Sequence, residues 1–348
     1  MLPLNCDHLV VGAGSTGLAV VDHLLRREAG SVILVDALET PQVAPFGSRV
    51  PLLNPAFPGW REVNQRSHEL YEGWQDWIEI DPGLRRCGVL MPTEHQSFAD
   101  PALEILESED SARRWSGLGS DGPSCYYDQQ GATVSPVSVA SALMWRIRKA
   151  GGRFHASCAL SSIVEKDDGV HFSAGVRQGI AQKVFLCAGV FSLDLLEKQS
   201  VRHPFSREAV SIFTLDICAD LPPVIYWPDE RVILIDNEDG SHDLYLHRAL
   251  NPVGTTTPSV DWDACSEFRQ SKEPWINGFV EATVTKARCE HRIGPVDAPA
   301  TSVSSAGGRI ATPGACGEHS ALLFPALAEI AVEKHLSGDV GGLLEDLA

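Results

Sequence analysis

Gly12, Gly14, Ser15, Thr16 and Gly17, with Asp36 at the end of the next apolar run, carry the first legible chemistry of this chain. The glycines stand at GxGxxG spacing. Gly12 permits a tight turn, Gly14 lets a pyrophosphate approach the backbone, and Gly17 allows a helix to pack closely on a strand. A helix opening at Ser15 and Thr16 turns N–H donors and the positive end of its dipole toward phosphate. Asp36, followed by Ala37, is placed to accept hydrogen bonds from an adenosine ribose, and its charge argues against a 2′-phosphate. The chemistry is dinucleotide binding, with FAD and NAD both open. The bland alternative is a glycine-rich turn without a ligand.

The elements around these residues agree. Asp7–Val11 reads as a strand, Leu18–Arg27 keeps helical periodicity, and Ser31–Val35 is a second strand ending on Asp36. A Pro- and Gly-rich loop, 41–58, offers Ser48 and Arg49 as donors beside the pyrophosphate. The spacing predicts helices over 62–80, 101–115 and 137–150, the last stopped by Gly151-Gly152, and a polar surface loop over 116–124. Lys183–Gly189 is a buried strand whose small Ala188 and Gly189 let the backbone lie against a cofactor. Strand-like pieces at 210–217, 224–227, 232–235, 244–247 and 278–284 alternate with turns and predict an antiparallel sheet, a substrate lobe. A strand over 307–313 and a turn over 314–320 lead to a closing helix over 321–336, with Pro325 in its first turn.

Composition narrows the class. Among 348 residues, 46 are acidic and 28 basic, a net charge of −18 that disfavours nucleic acid and anionic membranes. With 44% hydrophobic and 21% charged residues the chain is globular. Neither a signal peptide nor a membrane-length apolar run is read. The nine cysteines contain no CxxC pair, so a reduced, cytoplasmic protein without structural zinc is expected, and no metal-ligand spacing is present.

Four separated pieces resemble one family. They are the fingerprint through Asp36, the segment Gly131–Pro136 with its helix and Gly151-Gly152, the strand end Leu186–Gly189, and the last turn into the Pro325 helix. Together they are similar to the FAD-dependent oxidoreductases of the D-amino-acid oxidase, glycine oxidase and sarcosine oxidase type. The resemblance implies an α/β fold: a Rossmann-type, GR2-like FAD lobe assembled from 1–85, 125–210 and 286–348, and an antiparallel substrate lobe from 86–124 and 211–285. It implies that Gly317, Glu318, His319 and Ser320 form a flavin-facing turn and that Leu160 meets the adenine.

The implied reaction oxidises the C–N bond of an amino acid or small amine by hydride transfer to flavin N5. Water hydrolyses the imine, and O2 or another acceptor reoxidises the flavin. The family arginine that clamps a substrate carboxylate is matched by Arg288 or Arg292, and Arg248 is a further candidate, ahead of Arg49. His319, His247 and His291 are candidates for tuning proton traffic. Cys289 does not align with the cysteine that links flavin in the sarcosine-oxidase branch, so FAD is expected to be non-covalent. Asp243 stands near where that branch leads one to expect a lysine, which puts fast oxygen use in doubt. Rival readings are a 2-hydroxy-acid dehydrogenase of the same fold and a non-catalytic FAD-binding subunit; a homo-oligomer is left open.

Overall fold

The structure, a computed structural model, describes residues 3–39, 50–52, 61–92, 103–237, 239–249, 259–295, 302–315, 317 and 320–337. The run Cys6–Val11 forms β1, with Leu9, Val10 and Val11 buried, as a central parallel strand requires. It enters α1 (Ser15–Arg26) through the glycine turn, and β2 (Val32–Val35) returns parallel to it, Val11 opposite Val35. Next come β3 (Val50–Leu52), α2 (Arg61–Glu72) and α3 (Trp74–Ile78). One helix was expected over 62–80; the break falls at Gly73, glycine being a poor helix former.

The strands β4 (Arg85–Arg86), β5 (Val89–Pro92) and β6 (Glu104–Leu106) precede α4 (Ser108–Arg114). The helix expected over 101–115 therefore begins late. Glu104–Leu106 instead pairs with β7 (Cys125–Asp128), and α4 starts where Glu109 and Asp110 suit its positive end. The stretch 116–124 is the surface loop its polarity suggests, with Ser116, Ser120, Asp121 and Ser124 exposed, but it is anchored to the fold. Leu118 is buried and bridges to Ile276, and Gly119 N–H donates to the Trp275 carbonyl at 2.7 Å.

Then follow β8 (Ala132–Val134) and α5 (Pro136–Lys149), whose Ser135 cap accepts from Ser138 N–H with Pro136 in the first turn. The chain continues through β9 (Arg153–His155), β10 (Leu160–Lys166), β11 (Gly169–Ala174), β12 (Arg177–Leu186) and α6 (Phe191–Lys198). After these come β13 (Phe205–Asp216), β14 (Val224–Trp227), β15 (Val232–Asp236), β16 (His242–Ala249) and α7 (Trp262–Lys272). The last elements are β17 (Thr283–Pro295), β18 (Ser302–Ser304), β19 (Ile310–Pro313) and α8 (Ser320–Ser337).

Two corrections bear on the site. Residues 278–282 form turns rather than a strand, because Gly278 takes φ +73° and Ala282 N–H closes back on its carbonyl. The strand β17 starts only at Thr283 and runs on through Arg288 and Arg292. Pro325 lies in the second turn of α8, not the first, because the helix opens at Ser320.

The first sheet has the order β10-β11-β12-β1-β2-β9, with β19 parallel to β12 and β18 antiparallel to β19. The second has the order β17-β13-β16-β15-β14-β5-β7-β6, antiparallel except where β14 runs parallel to β5. A small third sheet joins β3, β8 and β4. Residues 323–332 of α8 are all buried and, apart from Glu329, apolar, so this helix is central. It shares one hydrophobic cluster with α1, α5 and the face of the second sheet that carries Val210, Ile212, Ile233 and Tyr245. The opposite face of that sheet packs Phe213, Leu244 and Trp227 against Cys265 and Phe268 of α7. No described helix is long and apolar enough to cross a membrane.

Candidate active site

The glycine turn lies at the carboxyl edge of the parallel strands, where open α/β sheets bind ligands. Gly12 takes φ +102°, and a Cβ there would stand 2.4 Å from the Cys187 carbonyl oxygen and 2.7 Å from Ala188 Cα. A Cβ on Gly17 would stand 1.9 Å from the Gly12 carbonyl oxygen. The turn, α1 and the end of β12 thus nest too closely for any side chain. Gly14 caps α1 in an extended conformation without a side-chain oxygen, and no acid occupies the first turn, so the helix itself brings no competing negative charge to its mouth.

Asp36 does more than end β2. Its Oδ2 accepts from Ala13 N–H at 2.5 Å and its Oδ1 from Leu38 N–H at 2.8 Å. A carboxylate has about four lone-pair sites. The side chain therefore pins the glycine turn while keeping acceptor capacity for a ribose. Ala37 beside it is exposed, and Leu160 packs on the cluster of Val11, Val35 and Cys158 below. Gly189 takes φ +57°, and Ala188 N–H donates to Ser192 Oγ at 2.9 Å. Gly12, Gly14, Ser15, Thr16, Gly17, Asp36, Ala188 and Gly189 thus gather at one edge.

Gly317 stands between the end of β19 and the start of α8, at φ +52°. Since β19 runs parallel to β12, the chain leaves it at the same carboxyl edge. Ser320 opens α8. Ser48, Arg49, Glu318 and His319 lie outside the described residues.

The second sheet supplies the other wall. Residues paired across neighbouring strands share a face. Arg288 pairs with Ile212 and through it with Tyr245, Glu290 with Val210 and His247, and Arg292 with Glu208 and Ala249. All of these lie on the face packed toward α1 and α8. Glu290 bridges the two arginines, at 3.3 Å from Arg288 Nε and 3.4 Å from Arg292 Nη2. Arg288 also lies 3.7 Å from Asp243, whose carboxylate accepts from Thr214 Oγ1. Burial, with the Asp243 charge adding to it, pushes the Tyr245 phenol well above its ordinary range, so it stays a protonated donor.

Other candidates fall elsewhere. Arg248 lies on the opposite face with Ala209 and pairs with Asp261, the cap of α7, so the structure does not bring it to Arg288 and Arg292. His291 is on that opposite face too, held below the ordinary imidazole range by burial and then by Arg207. Cys289 is opposite Ser211, away from Arg288 and Arg292. Glu208, Glu290 and Tyr245 belong to the face but escape notice in the sequence; the one available signal is their alternation with apolar residues along β13, β16 and β17.

A parallel sheet with a glycine cradle at its edge, roofed by a second sheet bearing paired charges, defines a dinucleotide-dependent enzyme. The sequence profile of the FAD dependent oxidoreductase (DAO) family matches residues 7–334, and the chain belongs to that family. It is an FAD-dependent oxidoreductase. Among solved structures, glycine oxidase from Geobacillus kaustophilus is similar at 15% identity with a TM-score of 0.80, over 96% of this chain and 95% of that one. NikD, an amino acid oxidase of nikkomycin biosynthesis, is 16% identical with a TM-score of 0.81, over 97% and 95%. Iminodiacetate oxidase (IdaA) from Chelativorans sp. BNC1 is 16% identical with a TM-score of 0.77, over 95% of each chain. At such identities the likeness is one of fold. No curated protein sequence matches the chain.

The residues present fit FAD. The Gly12–Gly17 cradle and the unblocked mouth of α1 suit a diphosphate, and Asp36 stands beside them with acceptor capacity that would suit a ribose. Beside Gly317 the buried Glu208 has Oε2 without a hydrogen-bond partner among the described residues, an acceptor suited to a polar ring. The cofactor is FAD, on which the family depends.

Proposed function

We propose that this enzyme oxidises the C–N bond of an amino acid or small amine whose carboxylate is held by Arg292, with Arg288 beside it. The observation that carries this reading is the placement of both arginines on the inner face of β17, bridged by a single Glu290. Arg288 faces two carboxylates, Asp243 and Glu290. Arg292 shares Glu290 alone among the described ion pairs, which leaves it positive charge for an anionic partner. Its planar fork suits a carboxylate.

FAD, when bound, supplies the two-electron acceptor for the C–H bond next to nitrogen. The chain's own groups orient and exclude. Tyr245 offers a phenolic O–H, and the apolar Val210, Ile212 and Ile233 keep water from this face. The segments 1–85, 125–210 and 286–348 were expected to hold FAD, and 86–124 and 211–285 substrate; because 125–128, 205–210 and 286–295 are strands of the second sheet, these three stretches are proposed to belong with the substrate wall instead. Electrons then pass to O2 or another acceptor. A 2-hydroxy acid meets the same carboxylate clamp, so the experiment must separate the two.

FAD-loaded protein is titrated anaerobically with glycine, sarcosine, D- and L-amino acids and 2-hydroxy acids while the flavin absorbance is followed. Bleaching by an amine supports the proposal, and recovery on admitting air identifies O2 as acceptor. Bleaching by hydroxy acids alone sinks it.

A further inference from the structure

Glu208 is a carboxylate that the fold has buried and then left half-satisfied. The residue is 2% exposed. Its Oε1 accepts from Arg231 Nη2 at 2.8 Å, while Oε2 has no hydrogen-bond partner among the described residues. Two glycines make its slot. A Cβ on Gly294 would stand 2.0 Å from Oε1, and a Cβ on Gly317 would stand 2.8 Å from Oε2 and 3.2 Å from Arg231 Nη2. The carboxylate is therefore wedged between β17 and the turn that leads into α8, with its unused oxygen at that turn. Leaving a buried acceptor without a donor is costly, and such a group calls for a partner that the protein itself does not provide.

We propose that Glu208 and Arg231 form the recognition site for the imide edge of the flavin pyrimidine ring, with Glu208 Oε2 accepting the N3–H. Arg231 already neutralises Glu208, so the missing donor is a neutral N–H rather than an ammonium group. An imide edge presents one N–H flanked by two carbonyl oxygens, and an acid beside a guanidinium presents the matching acceptor and donors. The location agrees: Gly317 lies at the carboxyl edge that also holds the glycine cradle, and α8 has no acid in its first turn to compete for the ring. This inference rests on FAD as the cofactor and not on the amine reading of the substrate.

The test compares FAD with N3-methyl FAD, which lacks that N–H. Apoprotein is reloaded with each, and the dissociation constants are read from quenching of flavin fluorescence. Wild type is expected to bind FAD about ten- to hundredfold more tightly than the methyl analogue, the worth of a hydrogen bond to a charged group. Glu208→Ala is expected to bring the ratio near one. The double variant E208L/R231M removes both charges together, guards against misfolding from a stranded guanidinium, and is expected to behave alike. A wild-type ratio near one, or a ratio that both variants leave unchanged, overturns the proposal. A rise in KM for the amine with the flavin ratio intact assigns Glu208 to the substrate and also overturns it. A wild type that binds neither flavin removes the cofactor reading itself, a failure distinct from these.

Discussion

Two clusters of arginine and glutamate, one under α8 and one on the second sheet, use the same residue types for opposite ends. Under α8, Arg66 grips Glu329 with two bonds, Nε to Oε2 at 2.6 Å and Nη2 to Oε1 at 2.9 Å, and Arg27 adds contacts to Glu329 and Glu333. His23, driven down to about 3 by burial, stays neutral with its Nε2 3.3 Å from the Pro325 carbonyl. Burial alone would raise the Glu329 carboxyl; the hydrogen bonds from Arg66, with the Arg66 and Arg27 charges, outweigh it and hold it below its ordinary value. On the second sheet the pairs stretch to 3.3, 3.4 and 3.7 Å, and Glu208 keeps an oxygen in reserve. A saturated cluster ties helices together. A buried carboxylate oxygen left without a partner among the described residues, as in Glu208, is an acceptor for something that has yet to bind.

This contrast can be broken most directly by removing one acid from each side. Glu329→Ala removes the buried carboxylate that Arg66 and Arg27 share, leaving Arg66 with Glu69 and Arg27 with Glu333, and is expected to cost about 2–3 kcal/mol in urea unfolding, with FAD affinity of the folded protein unchanged. Glu290→Ala is expected to cost about 1 kcal/mol or less, since its contacts lie at the outer limit of hydrogen-bond geometry. Equal losses from the two would erase the distinction.

A smaller effect is expected in catalysis. Arg292→Met should lower kcat/KM for a carboxylate substrate about a hundredfold, measured as the second-order rate of anaerobic flavin reduction, because it removes the guanidinium proposed to pair with the substrate carboxylate. Arg248→Met should stay within about twofold, its pair with Asp261 being on the other face and more than half exposed on the arginine side. Equal losses from both would count against the inner face as the substrate site.

A pH-dependent effect concerns an exception to the pairing of charges under the helices. Asp22 in α1 is fully buried, its two oxygens have no hydrogen-bond partner among the described residues, and Arg146 Nε lies 3.7 Å away. Burial lifts its carboxyl to about 6 despite the opposing Arg146 charge. A raised carboxyl favours folding only while protonated, so the penalty begins near pH 4, grows to pH 6 and persists above it. Asp22→Asn should therefore stabilise the protein at pH 8 by on the order of 2–3 kcal/mol, with the gain gone at pH 4, as read from denaturant midpoints at the two pH values. A gain of the same size at both would show that the charge is not its source.

Much of the cofactor end was legible in the chain because its logic is local. Gly12 must adopt positive φ, Gly17 must yield to the Gly12 carbonyl, and both follow from spacing within a few residues of one strand and one helix. Asp36 was legible as an acid at a strand end; that it also pins Ala13 N–H was not. The substrate wall was hidden for a different reason. Lys286 to Arg292 alternates charged and small residues without an apolar stripe, so nothing in that stretch announces a thirteen-residue strand. The helix α7 was missed in the same way, and Glu104–Leu106 became a strand because β7 offered it an edge.

By itself, then, the sequence determined the glycine cradle, the acid beside it, the order of strand and helix around them, and the apolar helix that closes the chain. Tertiary structure alone decided which charges meet. Glu208, Arg231, Arg292 and Gly317 come from four separate elements or turns, and their gathering depends on strand register. Because side chains alternate with a period of two, a slip of one residue in β16 would carry Arg248 to the inner face and His247 away from it. That register is set by the burial of Tyr245, Val210 and Ile212 against the helices, a contact between segments far apart in the chain.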